Sequence, residues 1–436
     1  MLQRFEVKDF KCHEDYNEIK IPGLTVISGT NNSGKSSLLQ ALYLLTQNKT
    51  KTHTILSLNE ELELGGFSDI LHKRKTSKET IEFSMDFSES LIEKSGLQYL
   101  GITLAYSHPS VFEKLLVNYA ENSPVLSSME LQYKKENEDL QTIQLTIVDE
   151  KDSVFYRVCS TTDNGYCKMQ GIVPDPVLYK DTVKKDRIIC SPNFETIREY
   201  LSFLSNENIK YLKAVRLEDF IDKSTSIDRY MGLAGEYTAE IIYKMWDNII
   251  DFNKAEGNTI KFSELFDQWV KKLLGDDYRI RSHSTDSKDK KYKVTIEEIN
   301  RSLELNLKQV GVGISQILPI ITLILTSKEH DVLLIENPEV HLHPKLQAIF
   351  VDLCLFAAEN NRKLVVETHS EHVINRLRFR VKENPLYLEN TNILFLEKLQ
   401  GNIQYTEVHV SKDGKIDFWP ENFFDQNYKD LLGLIK

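Results

Sequence analysis

The sequence predicts an α/β fold with a mixed parallel sheet, an antiparallel side sheet and a helical insertion. In the last third of the chain, apolar runs such as DVLLIEN (331–337) and KLVVETHS (363–370) alternate with helical patterns. Fully apolar strands that alternate with helices are typical of a parallel sheet covered on both faces. From about 80 to 190, strand-like segments separated by Asn, Asp, Lys and Gly turns predict an antiparallel sheet with one solvated face. From about 193 to 273 the apolar period becomes helical.

These changes of pattern predict three parts of the chain. Residues 1–190 would hold the first strands, a glycine-rich loop and the antiparallel sheet, residues 191–298 the helical insertion, and residues 299–436 the rest of the parallel sheet. With 436 residues, 41% of them hydrophobic, the chain can bury a large core. The apolar segment 314–326 contains a proline and is shorter than the roughly 18 residues of a membrane span. It therefore predicts a buried helix.

Composition argues against several classes of protein. The net charge of −11 disfavours a chain coated by nucleic acid, although a local basic cleft would be compatible with it. The five cysteines are scattered, without a CxxC pair, and indicate neither a disulfide framework nor a zinc site. The charged amino-terminal stretch does not resemble a signal peptide, so we expect a cytoplasmic protein without a membrane partner.

The glycine-rich loop GTNNSGKS at 29–36 lies between a predicted strand and a predicted helix. It matches the phosphate-loop pattern G-x-x-x-x-G-K-[ST] in the context that this pattern requires. Glycines let backbone N–H groups surround phosphate oxygens, the lysine carries a charge to the β and γ phosphates, and the serine hydroxyl can ligate Mg²⁺. The sequence thus predicts a site for ATP and Mg²⁺. Its predicted ATP-binding residues are Gly29, Asn31, Asn32, Ser33, Gly34, Lys35, Ser36 and Ser37, with Ser36 as the metal ligand.

Further candidate residues follow two apolar strands of the last third. Glu336 directly follows an apolar run and is the predicted metal-side acid, because parallel sheets bind ligands at the carboxyl ends of their strands. His369 follows the next apolar strand, where an imidazole could meet the γ phosphate or orient a water molecule. Zinc binding by the nearby histidines is not indicated, because His341 and His343 lack the spacing of known zinc sites.

Together with VGVGISQILP (310–319) and the tail DGKIDFWPENFFDQ (413–426), these motifs resemble the ABC-type ATPases of the RecF, SMC and OLD group. The chain looks most similar to stand-alone bacterial AAA ATPases that end in a short domain of unknown function. The resemblance implies a P-loop NTPase fold of the ABC type, similar to RecF and SMC. It also implies that Gly313 and Ser315 belong to a signature loop that reaches the γ phosphate held by a second subunit. ATP would then join a homodimer.

One position departs from that family. Most ABC-type ATPases have a glutamate that polarises water directly after the metal-side acid, but Asn337 occupies this position and cannot accept a proton. Glu339 or His369 would take over as the catalytic group, or hydrolysis would be slow and the ATP-bound dimer long-lived. The 67 residues after His369 contain no Asp-x-Asp motif, so we expect no counterpart of the OLD nuclease domain there. We therefore expect a weak ATPase that acts as the sensor of a bacterial anti-phage or toxin system, with a nuclease or toxin as a separate effector chain.

A RecF-like ATPase that binds DNA in repair or maintenance is the alternative. Several basic clusters could contact DNA phosphates, although a charge run is usually solvated surface. The segment YLKAVRLEDF (211–220) resembles the region of the family in which a strand ends in Arg, so Arg216 could touch nucleotide or a partner, or form a structural salt bridge. The basic clusters are Lys184 and Lys185, Lys271 and Lys272, the group Lys288, Lys290 and Lys291, and the group Arg376, Arg378 and Arg380.

Overall fold

The computed structural model describes most of the chain, and its residues group into two units by their internal contacts. The described residues are 2–45, 55–72, 80–87, 97–108, 110, 123–150, 153–182, 186–205, 209–216, 222–223, 231–252, 259–286 and 291–424. The first unit comprises Met1–Ile21, Asn32–Ile209 and Glu397–Tyr405, and the second comprises Pro22–Asn31, Lys210–Leu396 and Thr406–Lys436.

The described strands are numbered in chain order. They are β1 (Leu2–Lys8), β2 (Ile19–Lys20), β3 (Leu24–Gly29), β4 (Thr80–Phe87), β5 (Leu97–Ser107), β6 (Val125–Lys135), β7 (Gln141–Glu150), β8 (Ser153–Cys159), β9 (Asn164–Cys167), β10 (Met169–Gln170), β11 (Val173–Pro174), β12 (Leu178–Tyr179), β13 (Arg187–Ile188), β14 (Ile209–Leu212), β15 (Asp222–Lys223), β16 (Ile249–Ile250), β17 (Ile260–Lys261), β18 (Tyr278–Asp286), β19 (Lys291–Glu298), β20 (Leu303–Asn306), β21 (Val332–Glu336), β22 (Lys363–Glu367), β23 (Thr391–Leu399) and β24 (Asn402–Glu407).

The described α-helices are numbered in the same way. They are α1 (Lys35–Leu44), α2 (Phe67–Ile70), α3 (Pro192–Ser205), α4 (Thr238–Met245), α5 (Phe262–Leu274), α6 (Val312–Thr326), α7 (Pro344–Glu359) and α8 (Glu371–Glu383), and short 3-10 helices lie at Ile299–Arg301, Leu307–Gln309 and Pro385–Leu388.

The first unit is built on an antiparallel sheet of ten strands in the order β13-β12-β9-β8-β7-β6-β5-β4-β1-β2. Its strands alternate between buried and partly exposed side chains, as β4 shows with Ile81, Phe83 and Met85 buried. Alternation of this kind arises because successive side chains of a strand point to opposite faces. The antiparallel sheet predicted for residues 80–190 is confirmed.

The second unit contains the parallel sheet, in the order β14-β21-β22-β3-β23. In the strand order, β24 follows β23. Strands β21, β22, β3 and β23 run parallel. Every residue of β21 and of β22 is buried, as expected of strands covered on both faces. The predicted α/β fold is confirmed by this sheet and by its covering helices, among which α6 and α7 share one hydrophobic core with it.

The predicted helical insertion holds strands as well as helices. Helices α4 and α5 pack against the antiparallel hairpin of β18 and β19, and α5 buries Phe266, Trp269 and Val270 in the core of the second unit. The polar composition of residues 282–293 predicts a loop or a hairpin tip. The paired strands cover most of that segment, and residues 287–290 lie outside the described part of the chain. The division into three parts at residues 190 and 298 stays a prediction.

The apolar segment around Pro319 is a buried helix, as predicted. Helix α6 begins at Val312, two residues before the apolar segment 314–326 from which the helix is predicted. Every residue from Ser315 to Leu325 is buried. Among the described residues, no helix is long and apolar enough to cross a membrane.

Candidate functional site

The phosphate loop begins where β3 ends, at Gly29, and a side chain would not fit there. A Cβ atom on Gly29 would lie 2.0 Å from the backbone oxygen of Leu396, and the residue has φ +155°. The same oxygen of Leu396 accepts a hydrogen bond of 3.1 Å from the Thr30 amide. The neighbouring strand β23 therefore fixes the direction in which the chain leaves the sheet. Asn31 follows with an exposed side chain.

Gly34 ends the loop and caps α1 in the left-handed conformation, with φ +86°. Its carbonyl oxygen accepts two hydrogen bonds of 3.1 Å, one from the Leu38 amide and one from Nε2 of His13. In a trans peptide the carbonyl and the next amide N–H point in opposite directions. Because the Gly34 oxygen points into the helix, the N–H of Lys35 points out of the amino end of the helix. This is the side at which a helix start binds an anion.

The other residues of the loop have different exposures. Lys35 is only 4% exposed, and its Nζ donates a hydrogen bond of 3.5 Å to the hydroxyl oxygen of Ser33. Asn32 is exposed and has φ +62°, a conformation that Asn tolerates better than most residues. Ser36 and Ser37 are half-buried in the first turn of α1. These residues belong to the first unit.

His13, which the sequence analysis did not select, supports the loop in one tautomer. Because Nε2 donates to Gly34, Nδ1 is free to accept, and the hydroxyl of Tyr405 donates to it over 2.5 Å. Burial lowers the pKa of His13 to about 4 and raises the pKa of the Tyr405 hydroxyl. Both groups are therefore neutral at physiological pH. No local pattern marks the pair, since 392 positions separate its members.

Glu336 ends β21 with its carboxylate held from two sides within the second unit. The hydroxyl of Tyr211 donates to Oε1, and the amide of Ala214 donates to Oε2 over 3.1 Å. The side chain is 8% exposed. Each carboxylate oxygen can accept more than one bond, so both keep lone pairs for a ligand. Such hydrogen bonds fix the orientation of a metal-binding carboxylate.

The turn after Glu336 is tied to the turn after β22 through Glu339. One carboxylate oxygen of Glu339 accepts from the hydroxyl of Thr368 over 2.8 Å, and the other accepts from the amide of His369 over 2.7 Å. The side chain of His369 is exposed. The structure thus brings together the predicted residues Glu336, Glu339 and His369 at one edge of the parallel sheet. Asn337 lies between the two glutamates, with φ +38° and a buried Oδ1 that has no hydrogen-bond partner in the described structure.

The signature-like segment lies close to the turn that follows Glu336. A Cβ atom on Gly313 would be 2.8 Å from the backbone oxygen of His341, so only glycine permits this approach. Ser315 is buried, and its hydroxyl donates to the carbonyl of Val312 over 2.7 Å. The exposed part of the segment is Gly311 and Val312. A contact of Gly313 or Ser315 with a nucleotide stays a prediction.

The donors of the site suit magnesium and nucleotide better than a transition metal. The described residues contain no group of three or more His, Cys, Asp or Glu side chains that could hold an ion together. Mg²⁺ commonly takes one or two protein ligands and completes its shell with water and phosphate oxygens. In the second unit, the Glu336 carboxylate, with its orientation fixed, is a donor of that kind. In the first unit, the Ser36 hydroxyl at the start of α1 is another.

Several members of the predicted basic clusters have partners within the described structure. Arg376 and Arg380 both bind the carboxylate of Asp352, at 2.6 and 2.8 Å. Arg378 donates to the carbonyl of Gly414 over 2.9 Å. Burial would raise the pKa of Asp352, but the hydrogen bonds from Arg380 and Arg376 lower it below its usual value. Lys184, Lys185, Lys288 and Lys290 lie outside the described residues, Lys271 pairs with Asp276, and Lys272 lies over the Trp269 ring.

Comparison with known families decides the assignment that these motifs suggest. The family model described as an AAA ATPase domain matches residues 1–374. The chain belongs to this AAA ATPase family. A second family model, described as a protein of unknown function, matches residues 388–434 of the ATPase. Both parts of the predicted resemblance are thereby confirmed.

Named relatives of this ATPase are distant. An ATP/GTP phosphatase of Helicobacter pylori is 22% identical over 280 residues, which are 55% of this chain and 73% of the relative. The endonuclease GajA of Bacillus cereus is 19% identical over 413 residues, which are 86% of this chain and 56% of the relative. The chain thus spans little more than half the length of the endonuclease.

Solved structures of SMC heads are similar to the ATPase at low sequence identity. A head bound to the C-winged helix domain of ScpA is 13% identical, with a TM-score of 0.48 over 94% of this chain and 98% of that one. A head with an extended coiled coil, bound to a ScpA domain derived from Pyrococcus furiosus, is 12% identical, with a TM-score of 0.48 over 100% of this chain and 99% of that one.

Proposed function

We propose that the chain binds ATP with Mg²⁺ through the phosphate loop and Glu336. The parallel register of three strands carries this proposal. It sets Glu336 level with Glu367 and Glu367 level with Ile27, two residues before the loop begins at Gly29. Neighbouring strands are about 4.8 Å apart, and β22 lies between β21 and β3. The backbone of Glu336 is therefore about 10 Å from β3, the strand that leads into the loop. They share the carboxyl edge of the sheet, where parallel sheets bind ligands.

Hydrolysis would be slow because no carboxylate directly follows Glu336. Asn337 has no basic group, and Glu339 is the nearest acid in the turn. The hydrogen bonds from Thr368 and His369 hold the Glu339 carboxylate in one orientation, which suits a group that positions a water molecule. Glu339 and His369 are therefore our candidates for orienting the attacking water. A slow step after ATP binding would make the ATP-bound form long-lived.

Titration calorimetry with ATP and Mg²⁺ tests the nucleotide site. We expect the Lys35→Ala variant to bind ATP at least tenfold more weakly than the wild type, because a buried lysine is a strong phosphate ligand. Lys382→Ala, which removes an exposed lysine of α8, should bind as the wild type does. Phosphate release should be slow and should stop when EDTA removes the metal. Equal affinity of the Lys35→Ala and wild-type proteins would refute the proposal.

We further propose that ATP joins two copies of the chain and that the dimer regulates a separate effector. Support comes from the exposed start of α6 at Gly311 and Val312, and from the relative named as an endonuclease. The role would be that of a sensor in a bacterial anti-phage or toxin system in the cytoplasm, with a nuclease or toxin as effector. The DNA-binding alternative has less support, because Arg376 and Arg380 are already paired with Asp352.

Light scattering after size-exclusion chromatography tests the dimer. Wild type should change from monomer to dimer when ATP and Mg²⁺ are added. Val312→Arg should stay monomeric while it still binds ATP, since Val312 is 39% exposed at the proposed contact. Leu386→Arg places the same charge on another exposed apolar residue and should dimerise normally. A monomeric wild type at saturating ATP would rule out the dimer without touching the nucleotide proposal.

A further inference from the structure

Arg216 is a buried cation with unused hydrogen-bond donors. It is 3% exposed, and its recorded side-chain hydrogen bond runs from Nη2 to the backbone oxygen of Glu336. In the described structure, Nε and Nη1 have no hydrogen-bond partner. The structural salt bridge that the sequence analysis considered for this residue is not among the ion pairs of the described side chains. A guanidinium in this state has given up water without replacing its hydrogen bonds, which is unfavourable unless a ligand supplies them.

The guanidinium remains charged at physiological pH. Burial lowers the pKa of Arg216 to about 10, and the carboxylates of Glu339 and Glu336 act in the opposite direction. An anion would complete both the charge balance and the hydrogen bonding of this group.

The backbone around Arg216 is held on two sides. Toward the amino terminus, the Ala214 amide donates to the Glu336 carboxylate. The Arg216 carbonyl accepts from Nε2 of Gln316 over 3.2 Å, and Gln316 lies in the first part of α6. The segment therefore connects the metal-side acid with the signature-like helix. A side chain held in this way is preorganised for a ligand.

We propose that Arg216 binds the terminal phosphate of the nucleoside triphosphate. This inference rests on the proposed nucleotide site. The planar N–H groups of a guanidinium match the oxygens of a phosphate. Arg216 donates to the backbone oxygen of Glu336, the acid proposed to hold Mg²⁺, and the bound ion would neutralise charge on the phosphates beside it. Exposure of only 3% is too small for the backbone of a nucleic acid, but it suits the enclosed end of a triphosphate.

The ratio of the affinities for a triphosphate and a diphosphate tests the assignment. Calorimetry with a non-hydrolysable ATP analogue and with ADP, both with Mg²⁺, would compare wild type, Arg216→Met and Arg216→Lys. Methionine keeps much of the side-chain volume without the donors. We expect Arg216→Met to bind the analogue at least tenfold more weakly and ADP within threefold of wild type, and Arg216→Lys to lie between. Arg301→Met, at an arginine with an exposed side chain, should match wild type for both ligands.

Each outcome separates the two proposals. If wild type binds neither nucleotide, or Lys35→Ala binds as wild type does, the nucleotide site itself is wrong. If wild type binds both and the two Arg216 variants keep the wild-type ratio of affinities, only the role of Arg216 is wrong. If the arginine were purely structural, its replacement would weaken the binding of both ligands alike, or reduce thermal stability, without changing the ratio of affinities. Should Arg216→Met fail to fold, the ratio measured for Arg216→Lys decides.

Discussion

Replacing His13 should reduce the amount of stability that the protein loses when the pH is lowered to mild acid. The pKa of His13 is lowered to about 4 by burial, against an ordinary value of 6.5. Between these two values the unfolded chain binds the proton and the folded chain does not, so stability falls as the pH falls below 6.5. At pH 5, linkage gives a loss of about 2 kcal/mol relative to pH 7.5 from this one group. Lys11, Cys12, His72 and Tyr405 lie around the ring and are common to all variants.

Urea unfolding at pH 7.5 and pH 5.0 measures this difference. His13→Gln keeps an N–H donor toward the Gly34 carbonyl and an acceptor toward Tyr405, but it does not titrate in this range. The variant should lose about 2 kcal/mol less than wild type between the two pH values. His409→Gln removes an exposed histidine and serves as the control. If wild type and His13→Gln lose the same free energy, His13 is not the buried neutral group that supports the loop.

Three further changes have expected results. Gly29→Ala should lower the free energy of unfolding by about 3 kcal/mol or prevent folding, as thermal unfolding would show, because its Cβ would meet the Leu396 oxygen. Glu339→Gln should keep ATP affinity within threefold of wild type but reduce phosphate release at least tenfold, and unchanged turnover would exclude Glu339 as the water-orienting group. Asp352→Asn should cost about 2 kcal/mol in urea unfolding by leaving Arg376 and Arg380 short of a counter-charge, without changing ATP affinity.

The contiguous parts of the site could be predicted from sequence alone. The phosphate loop is one uninterrupted motif, and Glu336 directly follows an apolar run, so each reveals itself within a few residues. The parallel strands were also visible, because a strand buried on both faces is apolar throughout. Periodicity therefore identified the elements that carry the candidate site.

The contacts that the supporting residues make could not be found in this way. His13 contacts Tyr405 across 392 positions, and Arg216 contacts Glu336 across 120. Neither pair has a local pattern, since the fold alone brings its members together. For the hairpin of β18 and β19, the sequence left two interpretations of residues 282–293 open, a polar loop or a hairpin tip. Its outer residues are polar enough to resemble a loop, and it obtains its stability from packing against α4 and α5.

The carboxyl-terminal segment supplies part of the sheet that carries the phosphate loop. Its strand β23 pairs directly with β3, and its Phe423 stacks edge-on against Phe395, with ring centroids 5.2 Å apart. Strands from both matched families thus pair within one sheet. The boundary between the two family matches is therefore not a structural boundary in the folded chain. Anyone exchanging modules between relatives must transplant both families together, since a cut near residue 388 would strip β3 of a neighbour and leave its ladder open on that side.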